Sequence, residues 1–200
     1  MTKLIPRQYI PVLCVILSIV MSVLDGTIMN VALPTLTEEF GIEPDTSIWI
    51  VNAYQMVIMM FLLIFSALGD IYGYRKIFLS GTFIFTVASG LCALSINFPM
   101  LIVSRILQGI GAACVMSVNT ALIRQIYPPH YLGRGMSYNA MAVAISSVAG
   151  PTIAGLILSS LSWHWLFAIN LPFGIIALAL GTKYLPANIR NNKRKIDFWS

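Results

Sequence analysis

Six stretches of this 200-residue chain are apolar for long enough to cross a bilayer. A spanning helix needs roughly 20 mostly apolar residues. The runs cover about 9–31, 47–68, 77–96, 100–125, 135–159 and 165–185. The chain is 58% hydrophobic and 10% charged, where a soluble domain carries about 25% charge. The expected fold is an all-α membrane protein with a six-helix transmembrane bundle over 1–185, followed by a basic cytoplasmic tail over 186–200 that approaches a further helix.

The charges fix an orientation. Lys3, Arg7, Arg75, Lys76, Arg124, Arg134, Lys183, Arg190, Lys193, Arg194 and Lys195 alternate to one side of the six runs, and Glu38, Glu39, Glu43 and Asp45 fall on the other. By the positive-inside rule both ends of the chain are expected in the cytoplasm of a multi-pass protein of the inner (plasma) membrane. Trp49, Trp163 and Trp165 sit at the outer edges of spans, where an aromatic belt lies. The net charge of +5 thus reads as topology and not as nucleic-acid binding. The first run is too long, and lacks the A-x-A pattern, for a cleaved signal peptide. The expected external loop over 32–46 is the longest, while only residues 97–99 join the third and fourth runs in a tight hairpin.

Two ionisable residues break the apolar runs. Asp25 lies in LDGTIMNVALP, from Leu24 to Pro34, and Arg105 lies in LIVSRILQGIGAA, from Leu101 to Ala113. A charge in a span costs at least ~2.5 kcal/mol, so each marks a functional site by default. Taking Pro34 as the outer end of span one puts Asp25 ~13 Å deep, and Pro99 puts Arg105 ~9 Å deep from the same face. The two are therefore expected to face the bundle interior and to influence each other. Low-dielectric surroundings favour a neutral carboxyl and a guanidinium favours a carboxylate. A group held between those pulls can load and release a proton. The structural alternative is a static ion pair fixing helices one and four.

Weaker signals surround this pair. Gly109, Ala113 and Ser117 form a small-residue stripe on span four, and Ser146, Gly150 and Ala154 form another on span five, where Pro151 should kink the helix. Met21 and Met29 flank Asp25 at i−4 and i+4. With Asn52, Gln55, Asn119 and Asn139 they are candidates for lining a cavity, though core filling and interhelical hydrogen bonds are their ordinary uses. His164 reads as a surface histidine. Cys14, Cys92 and Cys114 lie within apolar runs without a CxxC or a neighbouring His, so neither disulfide nor metal site is expected. No GxxxxGK[ST] and no hydrolytic triad occurs, which argues against an ATP-driven pump and against an enzyme.

The segment SALGDIYGYRK, residues 66–76, resembles the loop between helices two and three of the major facilitator superfamily, G-x-L-A-D-R-x-G-R-K. Leu68, Asp70, Gly73, Arg75 and Lys76 match, and Ser66, Gly69, Ile71 and Tyr74 depart. Arg105, Gln108, Gly109 and Gly111 resemble that superfamily's fourth-helix motif. Gly150, Pro151 and Gly155 match G-x-x-x-G-P-x-x-G-G of its antiporter branch, with Ser146 and Ala154 as small substitutes. Residues 24–34 and WHWLFAINLPFG, from Trp163 to Gly174, are similar to the first and sixth helices of the 14-spanner drug:proton antiporters of the EmrB/QacA type, and Asp197 resembles the start of the seventh.

The resemblance implies the N-terminal bundle of a major facilitator fold, in a secondary transporter that exports small amphipathic drugs in exchange for protons. It implies no cofactor beyond the proton gradient. The partners it implies are a small-molecule substrate, the lipid bilayer and a missing C-terminal helix bundle. It gives Asp70, Gly73, Arg75 and Lys76, with Arg124, the part of a cytoplasmic gate. The alternative reading is a non-transporting or oligomeric six-helix membrane protein or channel.

Overall fold

The computed structural model describes residues 10–186. Apart from Pro186, the expected basic tail lies outside the described residues, as do Lys3, Arg7 and Asp197. Among the described residues, six helical stretches are long and apolar enough to cross a membrane. Their principal helices are α1 (Ile10–Phe40), α2 (Trp49–Tyr72), α3 (Tyr74–Ala93), α4 (Phe98–Ile126), α5 (Leu132–Ser160) and α6 (Asn170–Tyr184), and the second, fifth and sixth stretches start earlier, at Pro44, Pro129 and His164. Short helical turns at Pro44–Ser47, Pro129–Tyr131 and His164–Ala168 lead into α2, α5 and α6.

Local chemistry explains the joints. Gly73 alone separates α2 from α3, at φ 98° and ψ 134°, a conformation that a side chain would oppose. Asn97 caps α4 by accepting a hydrogen bond from the Met100 amide at 2.9 Å, with Pro99 in the first turn, where its missing N–H is harmless. Pro172 leaves the carbonyl of Ala168 without its usual helical donor, and the chain interrupts its helix at Ile169.

One expectation is corrected. Pro34 does not end the first helix, and 32–46 is not a long loop. The helix runs on to Phe40, carrying Glu38 and Glu39, and only residues 41–43 connect it to the next turn. Packing outweighs the hydrogen bond that Pro34 removes. Leu36 is fully buried, and the Phe40 ring makes edge contacts with Phe98 at 6.4 Å and Trp163 at 5.5 Å between centroids. Asp25 therefore sits at the middle of α1 and not near its outer third.

The bundle is built around α1 and α4. Helix α4 packs on α3, α2 and α1, and α1 packs on α5, α6 and α4. Helices α3 and α4 come close together at Gly81 and Gly111. A Cβ on Gly111 would meet the Phe85 amide nitrogen at 2.5 Å, and one on Gly81 would meet Cys114 Cβ at 2.4 Å. Backbones approach this closely only where side chains are absent. By contrast, α2 and α5 expose rows of apolar side chains, among them Met59, Met60 and Leu63, and Met141, Val148 and Leu156.

Candidate functional site

The centre of the bundle holds a charged network. Asp25 and Arg105 are 1% and 0% exposed, and Arg105 Nη1 donates to Asp25 Oδ2 at 2.5 Å. Arg105 Nη1 also donates to Gln108 Oε1 at 2.7 Å, and its Nε to the Ile50 carbonyl at 3.0 Å. Asp25 Oδ1 accepts from Gln108 Nε2 at 2.8 Å and from Asn170 Nδ2 at 3.1 Å. The Gln108 amide also donates to Ser89 Oγ at 2.9 Å, and its oxygen receives the Cys92 thiol at 3.6 Å. The guanidinium carbon lies 4.2 Å from the centre of the Tyr54 ring and 5.8 Å from that of Phe167. The ring faces thus take up part of its charge. Arg105 Nη2 is buried without a hydrogen-bond partner among the described residues.

Five helices and the turn before α6 converge on this point. Register explains how: on α4, Arg105 and Gln108 are three residues apart and share a face. Tyr54 is held over the guanidinium by its hydroxyl, which donates to the Ser22 carbonyl of α1 at 3.1 Å. Asp25 and Arg105 are legible in sequence as isolated ionisable residues in apolar runs. Gln108 and Asn170 lie within recognisable motifs, but nothing in those motifs signals what they touch. Ser89, Cys92 and Tyr54 escape a sequence reading, since a lone Ser, Cys or Tyr in a span is unremarkable.

The cavity candidates divide. Gln55 is exposed and borders a depression of about 310 Å³ with Ser22, Thr27, Asn30, Met59 and Met116. Asn52 is half-buried. Met29 does not line open space: it is fully buried in the core beside Leu36 and Leu166. Met21, 2% exposed, packs with Tyr54, Phe85 and Ala112 and borders a smaller cleft. Asn119 donates to Asn139 Oδ1 at 2.9 Å, tying α4 to α5. His164 is half-buried, its ring stacked 3.7 Å from that of Trp163.

At the opposite end from Pro44, Asp70 closes the last turns of α2 and accepts the Tyr74 hydroxyl across the Gly73 joint. Arg75 donates to the Thr182 carbonyl in the last turn of α6. Lys76 and Arg124 are exposed at the same end. In the antiporter-like segment, α5 continues through Pro151. Gly150 is buried against α1, while a Cβ added at Gly155 would meet nothing within 4 Å.

The sequence profile of the Major Facilitator Superfamily matches residues 15–200. The chain belongs to that superfamily. Its members are membrane transporters. Over 96% of its length the chain is 53% identical to the uncharacterized transporter YebQ of Escherichia coli K12, covering 42% of that protein. It is 36% identical over 94% of its length to the riboflavin transporter RibZ of Clostridioides difficile, covering 41%. It is 31% identical over 82% of its length to the multidrug export protein EmrB of Haemophilus influenzae, covering 32%. The chain thus spans about two fifths or less of these relatives.

Proposed function

We propose that this chain is one bundle of a secondary transporter that exports small amphipathic compounds in exchange for protons, with Asp25 as the group that carries the proton. The observation that carries the reading is the Asp25–Arg105 pair, wholly buried in the middle of the bundle. A buried ion pair is weak as a device for stability, because desolvation offsets most of the attraction. Its presence at the centre of a membrane bundle is explained better by a cycle in which one partner changes charge.

In that cycle a proton arriving from the outer side binds Asp25. The neutral carboxyl no longer attracts Arg105 as an ion, and Arg105 stays anchored on Ile50 and Gln108. Loss of the proton to the cytoplasm restores the pair. The depression lined by Thr27, Asn30 and Gln55 lies on the same stretch of α1 as Asp25. Its volume of about 310 Å³ is within the usual range for a small-molecule site, and its methionines suit varied apolar surfaces. A compound bound there senses the charge of Asp25 through α1. The names of the relatives, one a riboflavin transporter and one a multidrug exporter, are consistent with a small organic substrate.

A second helix bundle, opposed to the exposed faces of α2 and α5, completes the proposed transporter. The basic residues around 75 and 124 support a cytoplasmic position for that end, in a plasma-membrane protein. The test is proton movement driven by substrate. In everted vesicles holding a proton gradient, adding a transported cationic dye should release protons measurably with a pH-sensitive probe. Dye accumulation with no proton movement would remove the antiport reading.

A further inference from the structure

We infer that Asn170 reads the charge state of Asp25 by turning over its side-chain amide. The inference rests on the proton-carrying reading of Asp25 above and adds to it the group through which α6 responds. Three side chains donate to the Asp25 carboxylate: Arg105, Gln108 and Asn170. They differ in what else they do. Arg105 has no acceptor atom. Gln108 is fixed in one orientation, because its oxygen accepts from Arg105 and Cys92 while its nitrogen donates to Ser89 as well as Asp25. Turning that amide would set its N–H groups against those of Arg105.

Asn170 is under no such constraint. Its side chain makes a single hydrogen bond among the described residues, to Asp25 Oδ1. The rest of the amide borders a cleft of about 50 Å³ lined by Leu17, Met21, Leu24 and Phe173. That is room for water, which needs only ~10–15 Å³ of such volume. A carboxylate only accepts hydrogen bonds, so it holds the Asn170 nitrogen toward itself. A carboxylic acid must donate its O–H. With Arg105 and Gln108 unable to accept there, the Asn170 oxygen is the acceptor within reach after a half-turn about χ2, and the nitrogen then faces the cleft. The balance is simple: one proton is added to Asp25 and one hydrogen bond reverses direction.

The position of Asn170 gives the reversal a consequence. It is the first residue of α6 after the interruption at Ile169, with Pro172 two residues on. A hydrogen bond reversed at a helix break acts where the backbone is least committed. The titratable groups facing Asp25 are Arg105 from α4, Tyr54 from α2 and Cys92 from α3. From α6, the residue that reaches its carboxylate is Asn170.

Infrared difference titration of the full-length protein in lipid, with asparagine side chains carbon-13 labelled, tests this. The Asp25 carboxylic acid band is assigned by its loss in Asp25→Asn, and the Asn170 amide band by its loss in Asn170→Leu or, should that variant fold poorly, in Asn170→Ser. We expect the Asn170 band to shift along the same titration curve as the Asp25 band, and the shift to vanish in Asp25→Asn. An Asp25 band that titrates while the Asn170 band stays still overturns the role of Asn170 and leaves proton carriage intact. A protein in which no Asp25-dependent band titrates overturns both.

Discussion

Gly150 of α5 lies so close to Thr27 of α1 that a Cβ on the glycine would come within 2.0 Å of the threonine Oγ1 and 2.8 Å of its Cβ. The threonine cannot easily yield. Its hydroxyl is tied to the Leu24 carbonyl at 2.9 Å and the Val23 carbonyl at 3.2 Å, one turn back on the same helix. The two helices therefore meet at this contact two residues from Asp25, and a change in α5 is felt at the charged centre.

Filling this contact should separate α1 from α5. Overpacking a tight site costs about 1–3 kcal/mol. Gly150→Ala is expected to lower the melting temperature, Gly150→Leu to lower it further and abolish transport, and Thr27→Ala to recover part of the loss in the Gly150→Ala background. Gly155→Ala, by contrast, meets open space and should leave thermal stability unchanged. Equal effects at Gly150 and Gly155 would show that the α1–α5 contact is not what the motif secures.

Replacing Arg105 by Lys should be as damaging as removing it. The guanidinium serves Asp25, Gln108 and the Ile50 carbonyl at once and lies against Tyr54. An ammonium on a thinner stem cannot hold that set. Breaking a buried pair costs about 3–5 kcal/mol. We expect Arg105→Lys to lose export and show reduced thermal stability in detergent. A variant with native melting and native export would mean that the fork geometry is unimportant.

Much of the fold is readable from sequence because hydrocarbon imposes a simple rule on it. Six apolar runs give six helices, and a carboxylate and a guanidinium inside them have few places to go other than the interior. Gly73 is readable as a joint because a turn so tight excludes other residues. The extension of α1 past Pro34 is not readable, since it depends on Phe40 meeting Phe98 and Trp163, which are distant in the chain. Likewise, the small-residue stripe at Gly109 is visible, and a Cβ there would press on the Tyr54 carbonyl at 2.9 Å. The tighter Gly81–Gly111 approach belongs to two helices together and is written in neither alone. The ring of donors around Asp25 is hidden for the same reason.

The cytoplasmic gate that the resemblance of residues 66–76 implies has its own test. Asp70 accepts from Tyr74 across the Gly73 joint, and a hydrogen bond to a charged group contributes about 1.5–3 kcal/mol. Asp70→Asn is expected to insert normally and reach equal abundance in the membrane, with export reduced at least ~tenfold, the equivalent of about 1.4 kcal/mol. Tyr74→Phe should fall between that variant and wild type. Wild-type export by Asp70→Asn would take this loop out of the mechanism.

Asp25→Asn bears most directly on proton coupling. Asparagine keeps the size of the side chain, accepts with its single oxygen from Arg105 or from Gln108 but not from both, and cannot take up and release a proton. In vesicles energised only by a pH difference, at matched protein abundance, the variant should still bind substrate and exchange it down its own gradient, while uphill export falls to the level of empty vesicles. Uphill export at the wild-type rate by Asp25→Asn, driven by that pH difference alone, would contradict the assignment of Asp25 as the proton carrier.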